Sequence, residues 1–118
     1  MDKIREVVAF GPYFEAFLSA QPVKVQDKIF KVINAIETLQ RVPANCLKHI
    51  AGAQGLYEVR IQLGSDIWRI FCFFENERMV ILLTGFQKKT QKTPRCEIDR
   101  VVKLMNDFHR LKDQSGWK

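Results

Sequence analysis

The sequence predicts an α+β fold, a mostly antiparallel sheet flanked by helices in the order β–α–α–β–β–β–α. Three observations predict it. Apolar residues recur at three- and four-residue steps between residues 23 and 40, as in a helix with one buried face. From Tyr57 onward the period drops to two, and turn-forming residues interrupt the alternation at Gly64-Ser65 and Asn76-Glu77. The helical period returns after Pro94, on the stripe Ile98, Val101, Val102, Met105 and Phe108, and ends near Leu111.

Taken in order, Ile4 to Phe10 is a short strand closed by Gly11-Pro12. Pro12 suits the first position of a helix to Ala20, with Phe14, Phe17 and Leu18 turned inward. Pro22 interrupts, and a longer helix runs from Val23 to Gln40. Its buried stripe is Val25, Ile29, Val32, Ile33, Ile36 and Leu39, and Pro43 ends it. The two helices form a hairpin on one sheet face. Residues 44–55 are a loop containing Gly52 and Gly55. Tyr57, Val59, Ile61 and Leu63 then alternate with Glu58, Arg60 and Gln62. Gly64, first of two turn residues, suits a type II′ turn. Ile67 to Phe74 and Met79 to Phe86 are the next strands. Thr93-Pro94 supplies the N-cap and first residue of the closing helix.

Composition bounds the function. A chain of 118 residues, 47% apolar and 27% charged, suits a single domain over 1–118 with an ordinary core. The net charge of +6 is unevenly placed: residues 1–59 hold seven Lys/Arg against six Asp/Glu, and residues 60–118 hold twelve against seven. A basic second half points to an anionic partner, nucleic acid first and an acidic protein second. Cys46, Cys72 and Cys96 show no CxxC spacing and read as free thiols in a reducing compartment, Cys72 as core. His49 and His109 lie too far apart in sequence to suggest a zinc site. No Gly-rich phosphate loop and no HExxH motif appears, so neither cofactor nor metal is expected. The charged start and the lack of a membrane-length apolar run point to a cytoplasmic protein without membrane association.

The first hairpin brings charges together. With Gly64 and Ser65 as turn residues, Leu63 faces Asp66, Ile61 faces Trp68, Val59 faces Ile70 and Tyr57 faces Cys72, a consistent apolar face. The same register sets Arg60 opposite Arg69 on the other face, with Glu58 beside them. Facing like charges are unfavourable by roughly 0.2–1 kcal/mol. Two readings follow: a solvated arginine ladder neutralised by Glu58, or a phosphate site with two guanidiniums. An Asn76-Glu77 turn would put Thr84 beside Arg69 and bring Phe86 and Lys88 onto that face. The cations Lys88, Lys89, Lys92 and Arg95 then leave the strand beside the arginines, either as a solvated loop or as an RNA-binding run. Phe86 is a core residue or a base-stacking platform. Lys48 and His49 lie in the preceding loop, where His49 is incidental or an acid–base group.

These residues resemble a known family. Gly55-Leu56-Tyr57-Glu58-Val59-Arg60, then Trp68-Arg69-Ile70-Phe71, then Gly85-Phe86-Gln87-Lys88-Lys89-Thr90-Gln91-Lys92-Thr93-Pro94 are similar to phage-derived HigB-like toxins of the RelE/ParE superfamily. The likeness runs from about residue 5 to residue 110, and the segment from Gly85 to Pro94 is its most specific part. The resemblance implies a small RelE-like fold and the toxin of a type II toxin–antitoxin system. Such a toxin is a metal-independent endoribonuclease that cleaves mRNA on the ribosome and inhibits translation. Its expected partner is a cognate antitoxin, commonly with a helix-turn-helix domain. In that reading Arg60 and Arg69 stabilise the phosphorane, and Glu58, Lys88 or Lys89 serves as the base. Lys48, His49, Phe86, Lys92 and Arg95 bind RNA. Some relatives carry a tyrosine or histidine near the end of the last strand, where this chain has Phe86 and Gln87. The general acid and base therefore stay open. So do two other functions, a ParE-like gyrase inhibitor and a non-catalytic RNA-binding protein.

Overall fold

The alternation after residue 56 builds a three-stranded meander, and every other element is placed against it. The computed structural model describes residues 3–88 and 94–115. In chain order they form β1 (Glu6–Ala9), α1 (Tyr13–Ser19), α2 (Val23–Thr38), β2 (Leu47–His49), β3 (Leu56–Leu63), β4 (Asp66–Asn76), β5 (Met79–Lys88) and α3 (Arg95–Ser115). The sheet order is β1-β5-β4-β3-β2. Strand β1 runs parallel to β5 and the other neighbours are antiparallel. The α+β class holds, with one added strand: β2 falls within the segment 44–55 expected to be loop.

The first hairpin has the expected register throughout, including Arg60 opposite Arg69 and Leu63 opposite Asp66. Gly64 has φ of +63° and no described non-glycine residue has a positive φ, so Ser65 does not, and the turn is type II′. The second hairpin differs. Asn76 pairs with Met79, so its turn residues are Glu77 and Arg78, and the Asn76 side-chain oxygen accepts the Arg78 amide at 2.8 Å. Irregularities between Phe74 and Asn76 and between Ile70 and Cys72 move the pairing by one residue in opposite senses and cancel, so beyond them the later turn sets the register. As a result Arg69 faces Phe86, not Thr84.

Helices α1 and α2 cover one face, where Val25, Ile29, Val32 and Ile36 pack with Val59, Ile61, Trp68, Ile70 and Cys72. Burial pushes the Cys72 thiol up to about 12, which makes it an inert core residue. Helix α2 ends at Thr38, so Leu39 lies beyond it and is exposed rather than buried. No glycine caps this end. The Arg5 guanidinium instead donates to the carbonyls of Ile36, Leu39 and Gln40 at 2.7–2.9 Å, which satisfies orphan acceptors and ties α2 to the start of β1.

Helix α3 packs on the opposite face through Ile98, Val101, Leu104 and Phe108, against Leu56, Phe71, Phe73, Ile81 and Leu83. Lys112, in its last turn, pairs with Glu75 of β4.

Gly85 sits where β5 shifts register, and a Cβ there would come within 2.7 Å of the Phe17 ring of α1. Gly85→Ala should force Phe17 out of place and destabilise the fold by about 1–3 kcal/mol. Urea unfolding would show it as a lower midpoint with an unchanged slope.

Candidate active site

Along the α3 face, the meander strands change from apolar to polar toward the same end, each one residue pair after its neighbour. Strand β3 passes from Leu56 to Glu58, Arg60 and Gln62, β4 passes back from Phe73 and Phe71 to Arg69, and β5 passes from Ile81 and Leu83 to Phe86 and Lys88. Strict alternation from Leu83 would have turned Gly85 and Gln87 to this side. The register shift before Gly85 turns Phe86 and Lys88 there instead. Helix α3 covers the apolar end of the face and leaves the polar end open as a cleft of about 640 Å³. Lys48, Glu58, Arg60, Arg69 and Lys88 line it, with Leu47, Ile50 and Ile98 as the apolar part.

The amide of Arg60 donates to Cys46 O at 2.8 Å, toward β2. Its main chain therefore bonds away from β4, which makes Arg60–Arg69 the closer, non-hydrogen-bonded kind of antiparallel pair, with Cα atoms about 4.5 Å apart. Glu58 Oε2 lies 3.6 Å from Arg69 Nε, and both side chains are about nine-tenths buried. The carboxylate thus engages the Nε side of Arg69. The guanidinium fork is wide enough to hold a second anion by its terminal nitrogens. Arg60 Nε and Arg69 Nε are both buried without a hydrogen-bond partner among the described residues. Two opposed guanidiniums with one carboxylate, paired to Arg69, leave a local excess of positive charge.

Lys88 faces Ile67 at the end of β5 and is partly buried. Desolvation by burial holds its pKa below the ordinary lysine value, helped by the nearby charges of Arg69, Lys48 and Arg60 and opposed by Glu58. A lysine so placed gives up its proton more readily than one in water. The cleft therefore combines a fixed dication for an oxyanion with an amine suited to proton transfer.

The other expected site residues divide. Lys48 is opposite Glu58, on the cleft face, and exposed. His49 reaches the cleft rim, yet it is opposite Tyr57 and its ring packs edge-on against the Tyr57 ring at 5.2 Å, on the face away from the arginines. Phe86 stacks on Phe71 with centroids 5.5 Å apart and planes 12° from parallel, and it joins the core under α3. Arg95 opens α3, exposed and paired with Asp99 at 3.1 Å. Lys89 and Lys92 lie outside the described residues. Asn45, which no motif singles out, also lines the cleft, because the β2–β3 pairing folds its loop over Arg60. Among the described residues no group of three His, Cys, Asp or Glu side chains is placed to hold a metal ion, and no helix is long and apolar enough to cross a membrane.

The family model "Phage derived protein Gp49-like (DUF891)" matches residues 16–106. This chain belongs to the phage-derived Gp49-like family. That bears out the resemblance to phage-derived HigB-like proteins of the RelE/ParE superfamily. No curated protein matches the Gp49-like chain. Among solved structures it resembles RelE in the archaeal RelE–RelB complex from Pyrococcus horikoshii OT3, with 16% identity and a TM-score of 0.52 over 71% of this chain and 94% of that one. It also resembles RelE in the RelB–RelE antitoxin–toxin complex from Methanococcus jannaschii, with 19% identity and a TM-score of 0.53 over 74% and 99%. At these identities the likeness concerns the fold, and the Gp49-like chain has the RelE fold.

Proposed function

We propose that this Gp49-like protein is the toxin of a type II toxin–antitoxin system and cleaves mRNA held on the ribosome. One observation carries the reading: Arg60 and Arg69, directly opposed and joined by Lys88, in an open cleft beside α3. The reaction is attack of a ribose 2′-oxygen on the adjacent phosphorus. The bond from phosphorus to the 5′-oxygen breaks, leaving a 2′,3′-cyclic phosphate and a 5′-hydroxyl. Arg60 and Arg69 bind the extra negative charge of the phosphorane, and neutral Lys88 takes the 2′-hydroxyl proton. The leaving 5′-oxygen takes a proton from solvent or from a nearby ammonium such as Lys48. Glu58 is assigned as the group that orients Arg69, because the two already form an ion pair. A cognate antitoxin with a helix-turn-helix domain is the proposed partner, in keeping with the toxin–antitoxin complexes of the structural neighbours.

The test is translation of a defined mRNA by purified components, with RNA ends mapped by primer extension. Cuts inside the reading frame that require ribosomes support the reading. Intact mRNA with normal protein synthesis overturns it, and loss of gyrase supercoiling in a parallel assay would then identify the ParE-like activity.

The role of Lys88 fixes a pH dependence. A base must be neutral, so cleavage should rise with pH through the Lys88 pKa. Because that pKa is lowered, the rise should centre below the ordinary lysine value of about 10.4. Single-turnover rates followed from neutral pH up to the ordinary lysine value of about 10.4 measure it. Lys88→Arg, which stays protonated, should abolish the rise, whereas a rate that falls with pH would exclude Lys88 as the base.

A further inference from the structure

A second cleft, of about 410 Å³, lies at the free end of β3 and is lined by Lys28, Asn45, Arg60 and Gln62 among others. Arg60 and Asn45 line both this cleft and the one holding Arg69 and Lys88, so the two meet across the Arg60 side chain.

Strand pairing shows why the groove is open here and what it offers. Strand β2 pairs only with Tyr57 to Val59, and the Arg60 amide makes the last bond to that side, with Cys46 O. Amides of alternate residues point the same way in an antiparallel strand, so the Gln62 amide points out at an edge that β2 no longer covers. The Gln62 side chain lies on the Arg60 face, two residues on. Its own amide nitrogen contacts Gly64 O at 3.3 Å, which leaves its oxygen and the main-chain amide to face the groove. Lys28 reaches in from α2, partly buried, and brings a cation from the opposite layer of the fold. The set is a cation, an outward amide, two carboxamides and one guanidinium shared with the reaction cleft.

We infer that this cleft is a second phosphate subsite for a single RNA strand, with Lys28 binding the phosphate next to the one held by Arg60 and Arg69. The inference rests on the nuclease reading for the identity of the strand, since a substrate crossing Arg60 continues directly into the groove. Among the described residues no carboxylate lines this cleft, which suits a repeating anion. An acidic peptide is the competing occupant and is decided by the same experiment.

The probe is a short single-stranded 2′-O-methyl RNA, which lacks the attacking hydroxyl and so reports binding alone. Fluorescence anisotropy over a salt series compares the wild-type chain with Lys28→Gln, Asn45→Ala and the control Lys24→Gln, an exposed lysine of the same helix outside the groove. Lys28→Gln should weaken binding about five- to tenfold and reduce the slope of log affinity against log salt by about 0.7. Asn45→Ala should weaken it less, and Lys24→Gln should leave it unchanged. Equal losses at Lys24 and Lys28, no loss at either, or no RNA binding by the wild type would overturn the subsite. Displacement of the RNA by polyglutamate as effectively as by RNA would overturn it in favour of an acidic peptide. Cleavage is read separately in the translation assay, so a subsite that binds RNA without cleavage refutes the nuclease alone, and cleavage indifferent to Lys28 refutes the subsite alone.

Discussion

Replacing Arg69 by alanine should lower the single-turnover rate of mRNA cleavage by about 10²–10³-fold, the loss typical of removing one preorganised donor to a developing oxyanion. The Arg69 side chain is 11% exposed and forms an ion pair with Glu58 through its Nε. Little of its binding energy is then spent on ordering the guanidinium during the reaction. Arg69→Lys should recover little, because one ammonium cannot meet Glu58 on one side and a phosphate on the other as a planar fork does. The measurement is the cleavage rate on programmed ribosomes, with thermal unfolding of the variant as the check on its fold. A rate within threefold of wild type would remove Arg69 from the reaction.

Phe71→Ala should have the largest effect on stability, about 3–5 kcal/mol, as expected when an aromatic side chain is deleted from a packed core. Phe71 is fully buried in the central strand β4, between the α3 core and the stacked ring of Phe86. Its loss removes the wall on which Phe86 rests, one residue pair from Arg69. In a domain of this size the melting temperature should fall by roughly 10–20 °C. A fall of only a few degrees would mean that Phe86 and α3 collapse into the space, contrary to the close packing described.

The first hairpin was fully legible in the sequence, because a two-residue turn and an uninterrupted alternation leave a single register, and that register alone brings Arg60 to Arg69. The second hairpin was not. Its turn lies one residue later than Asn76-Glu77, which alone sets Arg69 opposite Phe86 where Thr84 was expected, and two irregularities displace the strand only between them. Gly85 within an apolar strand was the available signal for one of them. Phe86 and Lys88 still reach the expected face, since the shifts together preserve parity. Strand β2 has three partly exposed or exposed residues and no period to detect. Without β2, nothing in the sequence could show that Lys48 and His49 point to opposite faces, or that Asn45 closes over Arg60. Capping of α2 by Arg5 was hidden for another reason, as it joins residues distant in the chain.

The parallel pairing of β1 with β5 has a consequence for the order of assembly. Every strand that lines the cleft, β2 to β5, is joined to the next by a short connection, so these strands form through local contacts. Glu6 and Met79, by contrast, are separated by most of the chain between Glu6 and Lys88, and closing so long a loop is slow and entropically unfavourable. In synthesis β1 comes first and has no strand to pair with until β5 follows it. The Arg60–Arg69 hairpin, closed by a two-residue turn, needs no such long-range contact and can form before β1 pairs with β5.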